Sequence, residues 1–348
     1  MPINTPPINH KNNNGDRPVR VLVVDDSPFV RQLMIHIINS SPGIEVVGEA
    51  ENGFEAIEKN QSLKPDIITM DIRMPKMDGR EAISEIMAFH PVPILVVTDV
   101  DDAHEAYNAI SHGALEFLGK SEIDPDAPAS LTQKLKLLAQ VPVISHVKGR
   151  RRVRSHQESG ASRSARRVVA IASSTGGPKA LSVIISQLPA TFPYPILISQ
   201  HIHADFVPSL VQWLNGLSGL RVVVASAKDE LRPGFVYVSP ADFHLQLRRD
   251  FKFDLKEIAA GDLYRPSCDR LLSSVAGVCE AQAIGVVLTG MGDDGARGLS
   301  EIKRAGGATI AQDEKSSVVF GMPKVAISLG CVDIVAALGD IADVLVKL

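Results

Sequence analysis

Three cysteines in 348 residues, Cys268, Cys279 and Cys331, leave little material for a disulfide framework. Their number is odd and their spacing matches no metal motif, which argues for a reducing compartment, the cytoplasm. Long apolar runs are missing as well. None approaches the roughly 20 residues needed to cross a bilayer, so membrane insertion is not expected. The first 18 residues are rich in Pro and Asn and lack an apolar core, so residues 1–18 read as a disordered arm rather than a signal peptide. A large net charge is also absent, the formal balance being −4. That figure hides one local excess. Ser145 to Arg167 carries eight Lys or Arg against a single acid, Glu158, a balance of +7 that leaves −11 for the rest. Such a run suits a nucleic-acid tail or a solvated linker. Its Ser and Gly content, and its place between two periodic regions, favour a basic flexible linker over residues 142–166. Direct nucleic-acid binding is therefore not expected.

What is present is ordinary globular composition, 45% hydrophobic and 22% charged, at a length that suits about two domains. From Val19 onward, apolar runs alternate with helical patterns. Val19 to Asp26, Ile44 to Val47, Pro65 to Asp71, Pro93 to Thr98 and Leu115 to Leu118 read as strands. Helical periods follow each of them, the last ending near Gln140. Five β–α repeats predict a doubly wound parallel sheet over residues 19–141, of flavodoxin-like type. Ligands of such sheets bind at the carboxyl ends of the strands. Asp25, Asp26 and Asp71 fall at such ends and should cluster. Three carboxylates repel unless a cation joins them, and hard oxygen donors suit Mg²⁺. Thr98 and Lys120 end the fourth and fifth strands on the same edge. An acid to accept a phosphoryl group, a metal and a lysine to neutralise it, and a hydroxyl to sense it make up a phosphoryl-accepting set.

Val19 to about Gln140 resembles a two-component receiver domain, on Met70-Asp-Ile-Arg-Met-Pro-Lys-Met-Asp-Gly79 together with those strand-end residues. The resemblance implies that Asp71 accepts phosphate and that Asp25, Asp26 and Asp71 bind Mg²⁺. It also implies that Thr98 and Lys120 form the switch, with Phe117 on the face that repacks. Receivers usually place a cis-proline after the lysine. This chain has Ser121, where a cis bond would cost roughly 2.5–4 kcal/mol, so a trans bond is expected.

The second unit, residues 167–348, opens on Val168-Val-Ala-Ile-Ala-Ser-Ser-Thr-Gly-Gly-Pro-Lys179. A buried strand runs into a glycine turn and then a helix, with Pro178 suited to its first turn. Ser174 sits at the junction beside unpaired helix amides, and is a candidate nucleophile or a simple cap. Tyr194 to Ser199 is a strand ending in Gln200-His-Ile-His203. Ile284 to Leu288 is a strand ending in Thr289-Gly-Met-Gly-Asp-Asp-Gly295. That glycine loop lacks the lysine and hydroxyl of a phosphate-binding loop. Segments 234–239, 244–247 and 251–255 read as short, antiparallel strands. A doubly wound, Rossmann-like sheet with a small antiparallel region is expected. Three strand ends then supply a hydroxyl, an imidazole and an acid, the parts of an ester-hydrolysing triad. Spacing alone does not choose between His201 and His203, or between Asp293 and Asp294.

Residues Arg167 to Leu348 resemble the catalytic domain of the chemotaxis protein-glutamate methylesterases. The matching motifs are Ser174-Thr-Gly-Gly177, Gln200-His201, Leu288-Thr-Gly-Met-Gly-Asp-Asp-Gly295 and Val319-Phe-Gly-Met-Pro323. The resemblance implies Ser174 as nucleophile, His201 as base and Asp294 as orienting acid, with Thr175 and Met291 flanking the oxyanion site. Ala172-Ser173 departs from the usual Gly-Ala, and Tyr264 stands where some members have histidine. The implied function is a phosphorylation-activated hydrolase that removes methyl esters from receptor glutamates, releases methanol, and also deamidates glutamines. No cofactor is expected in the esterase unit. The implied partners are a methylated chemoreceptor cytoplasmic domain and a sensor histidine kinase as phosphodonor. A catalytically weak paralogue that signals through its receiver is the alternative reading.

Overall fold

The computed structural model describes residues 17–143 and 167–348. The expected arm, apart from Arg17 and Pro18, and the expected linker, apart from Pro142 and Val143, lie outside the described residues. In the first unit the elements are β1 Val19–Val24, α1 Pro28–Asn39, β2 Ile44–Ala50, α2 Gly53–Leu63, β3 Ile67–Met70, α3 Gly79–Phe89, β4 Ile94–Thr98, α4 Ala103–Ser111, β5 Glu116–Gly119 and α5 Ala129–Leu138. The strands form one parallel sheet in the order β2-β1-β3-β4-β5. Helices cover both faces of such a sheet, which is why the strands read as continuous apolar runs. Every residue of β3, β4 and β5 is buried. Side chains of Ser27, Asn52 and Asp78 accept from the first-turn amides of Val30, Glu55 and Glu81, and so start α1, α2 and α3.

The second unit contains β6 Val168–Ser173, α6 Gly177–Gln187, β7 Ile196–Gln200, α7 Val207–Leu217, β8 Arg221–Val224, β9 Phe235–Val238, β10 Phe243–Leu247, β11 Phe253–Glu257, α8 Cys268–Cys279, β12 Ala283–Val287, α9 Ala296–Arg304, β13 Ala308–Gln312, α10 Met322–Ser328, β14 Ile334–Ala336 and α11 Ile341–Lys347. Seven strands make a sheet in the order β14-β13-β12-β6-β7-β9-β8, every pairing parallel. Among the named strands of the described residues, only β10 and β11 pair antiparallel. This corrects the expectation for residues 234–239. Val236 to Val238 are buried between β7 and β8 in parallel register, where an apolar run belongs. The edge strand β14 has three residues, too few for a periodic signal, and was not expected.

The two units share one apolar cluster. α4 packs on α7, with Tyr107 stacked on Trp213 at 5.3 Å. Phe117 meets Phe206 at 4.8 Å and Tyr107 at 5.0 Å, and the Tyr107 hydroxyl donates to the Phe206 carbonyl at 3.1 Å. Among the described residues no helix is long and apolar enough to cross a membrane.

Candidate active site and phosphorylation site

The strands β12, β6 and β7 are neighbours, so their carboxyl ends meet at one place. Ser174 follows β6 on a turn fixed from three sides. Its N–H donates to the Thr289 carbonyl at 3.1 Å, and the Gln200 amide donates to its carbonyl at 2.9 Å. The Thr289 hydroxyl donates to the Thr175 carbonyl at 2.9 Å. Gly176 then enters α6 at φ +76°, where a Cβ would stand 2.6 Å from Val318, so only glycine fits. The turn aims the Ser174 hydroxyl at His201, whose Nδ1 lies 3.1 Å away. On the other edge of the ring, Nε2 lies 2.7 Å from Asp294 Oδ2. An ionised carboxylate only accepts, so Nε2 carries the proton and Nδ1 is left to accept from Ser174.

Asp294 is buried at the first turn of α8. It accepts from the Cys268 N–H at 2.6 Å, the Asp269 N–H at 2.8 Å and the Ser267 hydroxyl at 3.2 Å. A helix N-terminus favours negative charge. Burial pushes this carboxyl up, but the His201 contact and the two amides outweigh it and hold Asp294 below its usual range. The pairs that spacing left open now separate. His203 faces Asp205 at 3.3 Å, and Asp293 accepts from the Tyr264 hydroxyl at 2.7 Å. Neither touches Ser174. Ser173 is wholly buried and donates to Gln200 at 2.6 Å, so the Ala172-Ser173 departure puts no second hydroxyl in the cleft. Thr175 and Met291 line the cleft beside Ser174, and their N–H groups meet no acceptor among the described residues. The Cys268 thiol lies 3.6 Å from His201 Nε2. Burial, then Asp294, push its pKa well above the usual thiol value, so it stays protonated.

At the first sheet's edge, oxygens of Asp25, Asp26 and Asp71 lie within 4.8 Å of one another. Asp25 and Asp71 are buried and Asp26 is exposed. Lys120 Nζ reaches Asp71 at 2.8 Å and Asp25 at 2.9 Å. Among the described residues the only cis bond is Arg265-Pro266, so Lys120-Ser121 is trans, and the lysine still spans both acids. Burial raises Asp25 and, with the Asp25 charge nearby, pushes Asp71 up to about 6, both against the pull of Lys120. One ammonium does not neutralise three carboxylates. A hard divalent cation would, so the donor set fits Mg²⁺ held by Asp25, Asp26 and Asp71. Thr98 is wholly buried, and its hydroxyl lacks a partner among the described residues. Phe117 faces the second unit rather than solvent.

Between the units lies a cleft of about 780 Å³. Ser174, His201, Tyr264 and Met291 line one side, and Glu116, Phe117 and Lys134 the other. Glu116 is buried there, and its Oε2 accepts from the Gly176 N–H at 2.7 Å. Burial raises its pKa. Sequence reasoning missed this contact. The available signal was a lone acid within Leu115-Glu-Phe-Leu118, a strand otherwise built for burial. It gave no role to Gln200, the amide that holds the Ser174 turn, although Gln200-His201 is one of the matching motifs.

Comparison with known proteins agrees with this arrangement. The model of the family described as CheB methylesterase matches residues 169–345, and that of the response regulator receiver domain matches residues 21–134. A protein-glutamate methylesterase/protein-glutamine glutaminase of Paramagnetospirillum magneticum is 38% identical over 95% of this chain and 96% of its own length. The enzyme so named from Thermotoga maritima is 38% identical over 96% of this chain and 99% of its own. The crystal structure of the Thermotoga maritima CheB methylesterase catalytic domain superposes with a TM-score of 0.51 at 41% identity, covering 53% of this chain and 99% of that one. With both units matched in this order, the chain belongs to the CheB methylesterase family and carries an N-terminal response regulator receiver domain.

Proposed function

We propose that this chain is a protein-glutamate methylesterase and protein-glutamine deamidase whose activity its receiver controls through phosphorylation. The observation that carries the reading is His201, with Ser174 on one ring nitrogen and Asp294 on the other. In this reading the Ser174 oxygen attacks the carbonyl of a glutamyl γ-methyl ester while His201 Nδ1 takes the hydroxyl proton. The N–H groups of Thr175 and Met291 receive the oxyanion. His201 returns the proton to the leaving oxygen and methanol departs. Water, deprotonated by the same nitrogen, then attacks the acyl carbon; His201 gives that proton to the departing Ser174 oxygen, and glutamate is released. A glutamine amide follows the same course and releases ammonia. Asp294 holds the tautomer and balances the imidazolium charge, and the first turn of α8 holds Asp294.

At rest the receiver walls one side of the Ser174 cleft through Glu116 and Phe117. Asp71 takes a phosphoryl group, Lys120 pairs with it, and the unpartnered Thr98 hydroxyl turns to bond it. Bound Mg²⁺ supplies charge neutralisation at this site. Inward movement of Thr98 at the end of β4 disturbs β5, where Glu116 and Phe117 hold the esterase unit. The phosphodonor in this reading is a sensor histidine kinase, and the substrate is the methylated cytoplasmic domain of a chemoreceptor. Three cysteines, all unpaired and buried, suit a cytoplasmic enzyme. The test is methanol release from methylated receptor by the purified chain, with and without a small phosphodonor and Mg²⁺. Ser174→Ala is expected to abolish release and leave the melting temperature unchanged. Near-normal release by Ser174→Ala overturns the reading.

A further inference from the structure

One aromatic ring lies against a face of the His201 imidazole and is itself tethered by a hydrogen bond, and neither contact belongs to the three-residue arrangement above. The Tyr264 ring lies parallel to the imidazole, 5° between planes and 5.2 Å between centroids. Its hydroxyl donates to Asp293 Oδ1 at 2.7 Å. Space for that hydroxyl comes from Gly292, at φ +86°, where a Cβ would stand 2.7 Å from it. The segment that carries Tyr264 is itself tied down on both sides. His244 is wholly buried, and its Nδ1 accepts from the Ser267 N–H at 2.9 Å. Nε2 must then carry the proton, which it gives to Asp262 at 2.9 Å. Asp262 also accepts from the Ala259 N–H at 2.8 Å and from Arg270 at 2.7 Å. Residues 259–267 are therefore a braced arch with Tyr264 near its crown.

We propose that Tyr264 is a positioning residue for the reaction, which clamps the plane of the His201 ring, and that Asp293 acts as its tether. This rests on the reading of His201 as the base. Ser174 and Asp294 fix the two edges of the imidazole, but both bonds must stretch and shorten as the proton moves. Neither resists a tilt of the ring about the line that joins them. A parallel aromatic face does resist it, and excludes water from that face. It also places electron-rich π density beside the ring when it becomes an imidazolium. Asp293 then has a role distinct from that of Asp294, one residue on: it holds the clamp, and Asp294 holds the tautomer.

The test uses the full chain, activated with acetyl phosphate and Mg²⁺, on two substrates: methylated receptor and p-nitrophenyl acetate. Tyr264→Ala is expected to lower kcat about 10- to 100-fold on both, the scale of a misplaced catalytic group, with little change in KM for receptor. Tyr264→Phe keeps the stacked face and loses only the tether, so it should recover most of that loss. Asp293→Ala should match Tyr264→Phe, and an unchanged melting temperature separates these effects from unfolding. A rise in receptor KM with an unchanged small-ester rate would place Tyr264 against the substrate and overturn the proposal. Equal losses in the Phe and Ala variants would overturn the stacked face as its basis. Ser174→Ala is the control, and full small-ester turnover in that variant would overturn the reading of the site and this proposal together.

Discussion

The contact between Glu116 and Gly176 makes a prediction with two opposite signs. Glu116 is buried in the interface, with one carboxylate oxygen 2.7 Å from the Gly176 N–H and the other 3.0 Å from the Phe117 N–H. Glu116→Ala removes the acceptor and leaves the Gly176 amide buried and unpaired while the units stay closed. That costs the closed state about 1–3 kcal/mol. In the open state water takes the acceptor's place, so the cost falls on closure alone. If the closed form dominates at rest, resting activity rises about 5- to 150-fold. Glu116→Gln acts the other way. Its amide oxygen still accepts from Gly176, and there is no charge to desolvate. Burial raises the pKa of Glu116, so closure disfavours the ionised form. The Gln variant should therefore be less active at rest than the wild type.

The sign with pH follows. A pKa raised by closure means that the Glu116 contribution to the closed state is complete below its ordinary value. It is lost as pH rises through the raised one. Wild-type resting activity should climb over that window relative to Glu116→Gln. The assay is methanol release from methylated receptor by the unphosphorylated full chain, compared with the same chain after acetyl phosphate and Mg²⁺. All three proteins should converge once phosphorylated. Unchanged or lower resting activity in Glu116→Ala would refute the reasoning. An activated Gln variant would show that the charge, not the acceptor, holds the units closed.

Two further outcomes can be checked directly. His201→Ala and Asp294→Ala should each cost several orders of magnitude in kcat, since such groups act as a unit, whereas His203→Ala, which removes only a partner of Asp205, should stay within a few-fold of wild type; equal losses at the two histidines would sink the assignment. Asp71→Asn should block activation by phosphodonor and, without metal, stabilise the chain at pH 7–8. With Asp71 pushed up to about 6, its favourable contribution is complete below the ordinary value of 3.8 and lost as pH rises through 6. The advantage of Asn is thus up to about 3 kcal/mol above pH 6 and vanishes below about pH 4, read as melting temperature against pH, with Mg²⁺ raising only the wild type.

Where chemistry sits at the end of a buried strand, the sequence was readable. Parallel strands are apolar from end to end, so the first polar residue after each run marks the functional edge. Asp25 and Asp71 stand at such edges, Lys120 and Ser174 lie just past them, and only the family resemblance separated His201 from His203. The signal is weaker where a run is short or its partner lies far along the chain. β14 has only three residues, and β9 looked like its antiparallel neighbours because a parallel partner far along the chain leaves no local trace. The choice of Asp294 over Asp293 depends on the amides of Cys268 and Asp269, about 25 residues upstream. No spacing rule carries that information, and the family resemblance supplied it.

Glu116 was harder still, because its partner belongs to the other unit. Within the receiver alone a carboxylate in the otherwise apolar strand β5 is a cost without a visible benefit. The docked structure gives it a partner at Gly176, two residues past Ser174. The turn from Ser174 to Gly177 therefore serves two occupants. A substrate ester needs the amides beside Ser174 for its oxyanion, and the resting receiver places a glutamate carboxylate on the next amide along. A glutamate carboxylate is also what the proposed reaction leaves behind. Inhibition of this kind needs no separate regulatory site. It uses the affinity for a hydrogen-bond acceptor that the start of α6 must have if the turn is to stabilise an oxyanion. Weakening that affinity to relieve inhibition would weaken catalysis with it. Relief must then come from the receiver side, through β5, which Thr98 on β4 adjoins in register with Gly119.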